Sequence, residues 1–371
     1  MTAERRFAIG AGGTAGHVVP ALVVAGALRH HGIPSSDIVF LGGHGFESDA
    51  VARAGYRLVS FPVRGIRRPI AHPGNIAVGA RLVTSSWRAM RLLRRERVGA
   101  VFSMGGYAGV PAAMGATLAR RRLVLFEPNA VAGRANRACA RAADAVAVPF
   151  PGFGAPLKKV VVTGPLIRPE IVAPLDRATA RRRVAVGEGG QVLGVFGGSQ
   201  GARRLNESVL GCYDRWRKLP LTVLHVTGAT HAAGVSARLE SLRGKGDVVE
   251  WHVSGYMDDM AAFYRACDVI VSRAGAGTVA ELLATATPAV LVPGAFAEGH
   301  QAANARVAVQ AGAAVMVTDA DASAARLSTE VERLLDDGSQ RDVMRAAAAS
   351  VVRDPAAGAH RVADLLLEGE P

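Results

Sequence analysis

Short apolar runs, each closed by glycine or a polar turn and followed by a longer stretch with apolar residues at helical spacing, recur along almost the whole chain. In the first half this pattern predicts strands over 7–11, 38–42, 98–103, 123–126, 145–148 and 159–163. Between them it predicts helices over 18–31, 50–54, 110–120 and 133–141. After 163 the same rhythm resumes, with a strand-turn-helix unit over 192–210. Strands follow over 222–227, 248–252, 269–272 and 289–293, and helices over 257–266, 278–286 and 301–311. Strands that alternate with helices make βαβ units, so the fold class is α/β with mostly parallel sheets. The two halves share an architecture without a sequence repeat, which excludes a solenoid. Domains are expected over 1–163 and 164–349, with a C-terminal helix at 350–371 joining the first.

Two of the predicted strands run into glycine-rich turns that open helices. These are Gly10-Ala-Gly-Gly-Thr-Ala-Gly-His17 and Gly197-Gly-Ser-Gln-Gly-Ala-Arg203. Glycine lets the backbone approach an anion, and the N–H groups and dipole of the following helix hold it without a charged side chain. Two such turns point to two phosphate-bearing ligands. Gly10-x-Gly12-x-x-Ala15 also fits the dinucleotide fingerprint, but the second strand runs into Leu41-Gly-Gly-His44 with no carboxylate at its end for a ribose, which argues against a nicotinamide enzyme.

Composition narrows the picture. The 371 residues include 43 glycines, and aromatics make up 5%, which suits small-residue α/β layers better than an aromatic-packed sandwich. Cys139, Cys212 and Cys267 lack metal-type spacing and read as reduced, buried thiols. The start of the chain is too short and polar for a signal peptide, and no apolar run reaches the ~20 residues a membrane span needs. The net charge of +13 calls for an anionic partner. No nucleic-acid signature with interleaved aromatics is present, so no nucleic-acid partner is expected. Arginines 64, 67, 68, 81, 88, 91, 94, 95 and 97 instead mix with Ile66, Ile70, Ile76, Leu82, Val83, Trp87 and Leu92. That mixture suits a lipid headgroup surface; a solvated basic helix with a buried stripe is the alternative.

Several polar groups fall at predicted strand ends, where open α/β sheets bind ligands. His17 sits on the first turn after the first glycine loop, where the helix dipole is expected to lower its pKa and keep it a neutral base. A histidine that only packs on the loop would look the same. The strand at 269–272 opens into Arg273-Ala-Gly-Ala-Gly-Thr278 and places Glu281 on the next helix, an arrangement that offers amides to a phosphate and a carboxylate to ribose hydroxyls. A helix-stabilising carboxylate is the plain alternative for Glu281. Glu298, His300, Gln301 and Asn304 form another polar loop after a buried strand, and Asp258-Asp259 read as a helix cap rather than a metal motif.

Taken in order, Gly12-Gly-Thr-Ala-Gly-His-Val-Val-Pro20, Met104-Gly-Gly-Tyr107, Glu127-Pro-Asn129, Gly197-Gly-Ser-Gln-Gly-Ala202, Arg273 to Thr278 with Glu281, and His300-Gln301 with Asn304 resemble the MurG family of peptidoglycan N-acetylglucosaminyltransferases. The match runs from about Phe7 to about Val317. The resemblance implies a GT-B fold, two Rossmann-like domains with parallel sheets facing a central cleft, and an inverting hexosyltransferase. Its donor would be UDP-N-acetylglucosamine, and its acceptor the C4 hydroxyl of undecaprenyl-diphosphate-linked MurNAc-pentapeptide, lipid I being turned into lipid II. It implies His17 as base, with Glu127 also catalytic, and Gly13, Thr14, Gly16 and Tyr107 at the acceptor diphosphate. On the donor side it implies Thr14, Ala15, Gly16, Asn129, Arg168, Ser199, Gln200, Gly201, Met257, Arg273, Ala276, Gly277, Thr278, Glu281 and Gln301. Among these, Glu281 would hold the ribose and the Met257 backbone would read the uracil edge. Asn129, Gln301 and the Ala276 turn would meet the sugar hydroxyls. No metal or cofactor is implied, because loop and helix amides can stabilise the departing diphosphate. The stretch 76–87 falls where the family docks on the anionic inner leaflet, which implies a peripheral protein on the cytoplasmic face of the cell membrane.

The chain departs from the family pattern where Phe126-Glu-Pro-Asn129 replaces His-Glu-Gln-Asn, where Ala274 replaces Ser, and where Gly277 replaces a larger apolar residue. A transferase acting on another polyprenyl or natural-product acceptor therefore stays open. So do a UDP-sugar epimerase of related fold and a membrane-docked scaffold without activity.

Overall fold

A computed structural model describes residues 6–65, 72–198, 200–294 and 299–368. The chain divides into two compact units, Met1–Arg168 with Asp354–Pro371, and Pro169–Arg353. The first unit is built on a parallel sheet of β1 (Arg6–Gly10), β2 (Ile38–Gly42), β3 (Arg57–Ser60), β4 (Val98–Ser103), β5 (Arg122–Phe126), β6 (Ala145–Val148) and β7 (Val160–Val162). Its strand order is β3-β2-β1-β4-β5-β6-β7. Strands β2 and β6 are buried along their whole length, which is why they read as unbroken apolar runs: helices cover both faces of the sheet.

The connecting helices are α1 (Ala15–His30), α2 (Glu47–Arg53), α3 (Gly74–Arg95), α4 (Gly106–Ala119) and α5 (Arg134–Cys139). Helix α4 is apolar on most sides and packs closely on α3, because a Cβ placed on Gly115 would lie 2.7 Å from that of Ala89. Phe7, Ile9, Val18, Leu28, Phe40, Phe102 and Phe126 fill the core between sheet and helices.

The second unit opens with α6 (Pro169–Val172) and α7 (Arg177–Arg183). Its strands are β8 (Gln191–Phe196), β9 (Leu221–Val226), β10 (Glu250–Ser254), β11 (Val269–Ser272), β12 (Ala289–Leu291) and β13 (Ala314–Met316), parallel and ordered β10-β9-β8-β11-β12-β13. Its other helices are α8 (Arg203–Leu210), α9 (Tyr213–Trp216), α10 (Ala232–Leu242), α11 (Met260–Ala266), α12 (Ala276–Ala284), α13 (His300–Gln310), α14 (Ala324–Asp336) and α15 (Gly338–Val351). Tyr213, Trp216 and Trp251 anchor a core continued by Leu205, Val223 and Leu327.

Helix α16 (Ala357–Leu367) then packs on the first unit. Arg122 Nε donates to the Leu365 carbonyl at 2.6 Å and Arg361 to that of Thr163 at 3.2 Å. Two details differ from expectation. The helix expected over 350–371 is broken, since α15 ends at Val351, Pro355 cannot continue it, and Asp354 Oδ1 accepts the Ala356 and Ala357 amides to start α16. The units also part after Arg168 rather than near Thr163, because Leu166 still packs on the first core and Pro165 lies against Gly358.

In each unit the strand order reverses at the centre, between β1 and β4 and between β8 and β11, so the loops at those carboxyl ends are where ligands meet an open sheet.

Candidate active site

In the first unit, the loops after β1 and β4 meet at His17. Thr14 occupies the N-cap of α1, yet its side chain does not cap the helix. Its Oγ1 lies instead 3.2 Å from His17 Nδ1. On the other edge of the ring, a Cβ on Gly106 would come within 3.2 Å of Nε2, so the imidazole rests on the start of α4. Burial lowers the His17 pKa below 6.5, and the charge of Glu127 opposes that shift. The neutral state expected from the sequence is thus favoured, with desolvation as the main cause. Tyr107, 43% exposed, places its hydroxyl 2.9 Å from where a Cβ on Gly13 would stand.

Glu127 is 1% exposed at the end of β5, and both oxygens are committed. Oε1 accepts from Asn129 N and Nδ2 at 3.0 and 2.9 Å, and Oε2 from Gly133 N and Asn136 Nδ2, each at 2.9 Å. A carboxylate engaged in this way orders the loop over 127–136 and has no oxygen left to move a substrate proton, which corrects the catalytic role expected for it. The neighbouring Phe126 is 2% exposed in the core, so the departure there changes the packing beneath the loop rather than its face. Gly13 also needs correction as a diphosphate ligand, since its N–H donates to Glu47 Oε2 at 2.9 Å. Glu47 was missed because the helix was expected to begin only at Ala50.

In the second unit, the glycine turn after β8 lies on the turn after β9: a Cβ on Gly201 would fall 2.0 Å from the Thr227 carbonyl oxygen. Asn206 Nδ2 donates to that same oxygen at 3.0 Å. Asn206 Oδ1 in turn sits 3.1 Å from Nε2 of His225, which burial pushes down to about 4 and keeps neutral. Gln200 is exposed on this turn, whereas Ser199 lies outside the described residues, as does Glu298.

After β11, Gly275 caps α12, and the first-turn amides of Ala276, Gly277 and Thr278 have no acceptor within the helix. Glu281 accepts the Tyr264 hydroxyl through Oε2 at 2.8 Å. Met257 is half-buried between β10 and α11, in a turn where Ser254 Oγ accepts the Tyr256 amide at 3.2 Å. Asp259 caps α11 through the Ala262 amide, as the sequence suggested. Gln301 Oε1 accepts the Gly294 amide at 2.7 Å, and Asn304, 1% exposed, reaches the Ala274 carbonyl at 3.4 Å.

Arg273 is the clearest correction on this side. It is 5% exposed and bonded to the Val292 carbonyl at 3.0 Å and to Asp319 Oδ1 at 2.5 Å, so it braces the sheet below the turn instead of facing a donor. Arg168 is half-buried at the end of the first unit. Among the described residues no group of three His, Cys, Asp or Glu side chains could hold a metal ion.

Residues 7–148 match the Glycosyltransferase family 28 N-terminal domain and residues 192–361 the Glycosyltransferase family 28 C-terminal domain. A Nitrosococcus oceani protein named UDP-N-acetylglucosamine--N-acetylmuramyl-(pentapeptide) pyrophosphoryl-undecaprenol N-acetylglucosamine transferase is 38% identical over 367 residues, covering 98% of both chains. The chain belongs to glycosyltransferase family 28. It is a glycosyltransferase of GT-B fold, as the motifs implied. The crystal structure of Acinetobacter baumannii MurG is similar to it with a TM-score of 0.76 and 27% identity, over 98% of this chain and 100% of that one. A UDP-GlcNAc 2-epimerase from Neisseria meningitidis shares the fold alone, at 11% identity and a TM-score of 0.67 over 98% of this chain and 100% of that one.

Proposed function

We propose that this glycosyltransferase moves N-acetylglucosamine from UDP-N-acetylglucosamine to the C4 hydroxyl of undecaprenyl-diphosphate-linked MurNAc-pentapeptide, making lipid II from lipid I. The likeness to the Nitrosococcus oceani transferase, which runs along nearly the whole of both chains, carries the reading. His17 is the base. In the tautomer whose Nδ1–H donates to Thr14 Oγ1, 3.2 Å away, Nε2 keeps the lone pair that takes the proton of the acceptor hydroxyl. The hydroxyl oxygen forms its bond to the anomeric carbon as the bond from that carbon to the diphosphate oxygen breaks, with inversion. The charge released onto the diphosphate is met by amides of the turn after β8 and of the α12 N-terminus, which supports placing Gln200, Ala276, Gly277 and Thr278 there, while the Gly201 amide donates to the Gly198 carbonyl at 2.9 Å and shapes the turn. Glu281 holds the ribose, Met257 reads the base, Asn129 and Gln301 meet the sugar, and Thr14, Ala15, Gly16 and Tyr107 face the acceptor. Arg168 supplies positive charge to the donor.

The acceptor is a lipid, and α3 offers the surface for its membrane. Ile76, Val83 and Trp87, spaced to share one helix face, are 81%, 67% and 52% exposed, and the Arg91 guanidinium stacks 4.4 Å above Trp87. Met114 and Leu118 on the adjacent α4 extend the apolar area. Among the described residues no helix is long and apolar enough to cross a membrane, so we assign this face to peripheral docking on the anionic cytoplasmic leaflet. Arginines 67 and 68 lie outside the described residues.

The test is UDP release with and without lipid I, the product identified by mass. Release that depends on lipid I and yields lipid II supports the reading. A new sugar nucleotide formed from UDP-N-acetylglucosamine alone, or transfer only to a different acceptor, refutes it.

A further inference from the structure

Glu47 opens α2, next to the loop after β2, and its side chain is 1% exposed. Oε2 accepts the Gly13 amide at 2.9 Å, and Oε1 accepts the Gly43 amide at 2.8 Å. Each oxygen accepts one backbone N–H, as a carboxylate can. One buried charge therefore ties the loop after β1 to the loop after β2, and the glycines around it make room. A Cβ on Gly12 would strike Oε1 at 2.5 Å, one on Gly43 the same atom at 2.8 Å, and one on Gly45 Oε2 at 3.1 Å. A dinucleotide-binding unit uses a carboxylate near this strand end to hold ribose hydroxyls. Here a carboxylate is present near that place, but both its oxygens face the protein's own backbone.

We propose that Glu47 is a positioning residue for the acceptor side of the reaction. It withdraws the Gly13 amide from the anion cradle and puts a negative charge beneath the loop. The acceptor diphosphate is thereby directed past Gly13 to the first-turn amides of Ala15 and Gly16 and the Thr14 hydroxyl. These are the groups next to His17, so the same carboxylate that displaces the diphosphate from the loop brings the acceptor hydroxyl into register with the base. The inference rests on the reading of the first unit as the acceptor site.

Glu47→Gln replaces one accepting oxygen by a donor, so one of the two loop amides loses its partner. Kinetics with a short-chain lipid I analogue should show the acceptor KM raised about tenfold or more. The donor KM and the affinity for UDP should stay within about twofold, and the Gly13 amide proton resonance should move upfield. Glu47→Asp keeps the charge but cannot span both loops, and should shift the acceptor KM in the same direction by less. A role confined to holding the fold would lower the thermal midpoint of Glu47→Gln and leave the acceptor KM at the wild-type value, which overturns the inference. So does a displaced Gly13 resonance with normal acceptor kinetics. Failure of the wild-type protein to make lipid II overturns the reading beneath it instead. Should Glu47→Gln not fold, Gly12→Ala pushes on Oε1 from the loop side, and an unchanged acceptor KM in that variant is equally fatal.

Discussion

Tyr264→Phe removes a single oxygen and tests whether Glu281 is held for the donor ribose. Tyr264 is 1% exposed, and its ring packs edge-on against Phe196 and Phe263 with centroids 6.0 and 6.1 Å away, contacts that Phe preserves. What is lost is the bond of 2.8 Å to Glu281 Oε2. A hydrogen bond to an ionised acceptor contributes about 1.5–3 kcal/mol. Glu281 is only half-buried, so water recovers part of this, leaving ~1–2 kcal/mol for keeping the carboxylate aimed. At about 1.4 kcal/mol per tenfold, UDP should bind roughly 5- to 30-fold more weakly. Calorimetric titration of wild type and variant with UDP and 2′-deoxy-UDP separates the cause. Wild type should prefer the ribose form, and the variant should lose much of that preference while its acceptor KM holds. A variant that binds UDP as tightly as wild type, with the ribose preference intact, refutes the role given to Glu281.

Because burial holds the His17 pKa below 6.5, the acid limb of kcat/KM should have its midpoint under pH 6.5, and His17→Ala should lower kcat by about 10²- to 10⁴-fold; a midpoint above 6.5 in the pH-rate profile contradicts the base assignment. The same sign governs stability: the unfolded imidazole takes up its proton near pH 6.5 and the folded one only lower, so denaturant titrations should show stability falling as pH drops through that window. Asp319→Ala strands the buried Arg273 guanidinium and should cost about 3–5 kcal/mol, read as a lower thermal midpoint; an unchanged midpoint argues against a bracing role. Ile76→Glu combined with Trp87→Glu should reduce sedimentation with anionic vesicles at least tenfold while turnover of a water-soluble acceptor analogue persists, and undiminished vesicle binding removes α3 from the membrane contact.

The central strands were the legible part of the fold. The runs expected over 38–42, 98–103, 145–148 and 269–272 coincide with β2, β4, β6 and β11, because a strand covered on both faces can hold little but apolar residues. Legibility fell toward the edges. Strand β3, Arg-Leu-Val-Ser at the edge of its sheet, is half exposed and gave no run to read. Strand β10, another edge, was expected two residues early because Val248 looks like core and is in fact 52% exposed. Helices α14 and α15 went unmarked, for their outward faces carry charge and no strand with a glycine turn leads into them; α10 went unmarked although Gly228 turns the chain into it.

The candidate site divides along a different line. Sequence spacing placed the glycine turns after β1, β8 and β11 where the structure has them, since glycine, a preceding strand and a following helix are local properties. What spacing cannot reveal is whether a charged side chain on such a turn faces a ligand or the protein beneath it. Arg273 and Glu281 stand in one motif, yet Arg273, the first residue after β11, meets Asp319 from the loop after β13, while Glu281, farther along α12, meets a tyrosine hydroxyl and remains half-buried. Glu127 and Glu47 repeat the lesson in the first unit, one just after β5 and one at the start of α2, each accepting backbone amides. A buried carboxylate that receives such donors is costly to remove, and each lone pair spent on them is lost to a substrate. On the proposed reading, the anion-binding work of these loops falls on backbone amides that no internal acceptor has taken.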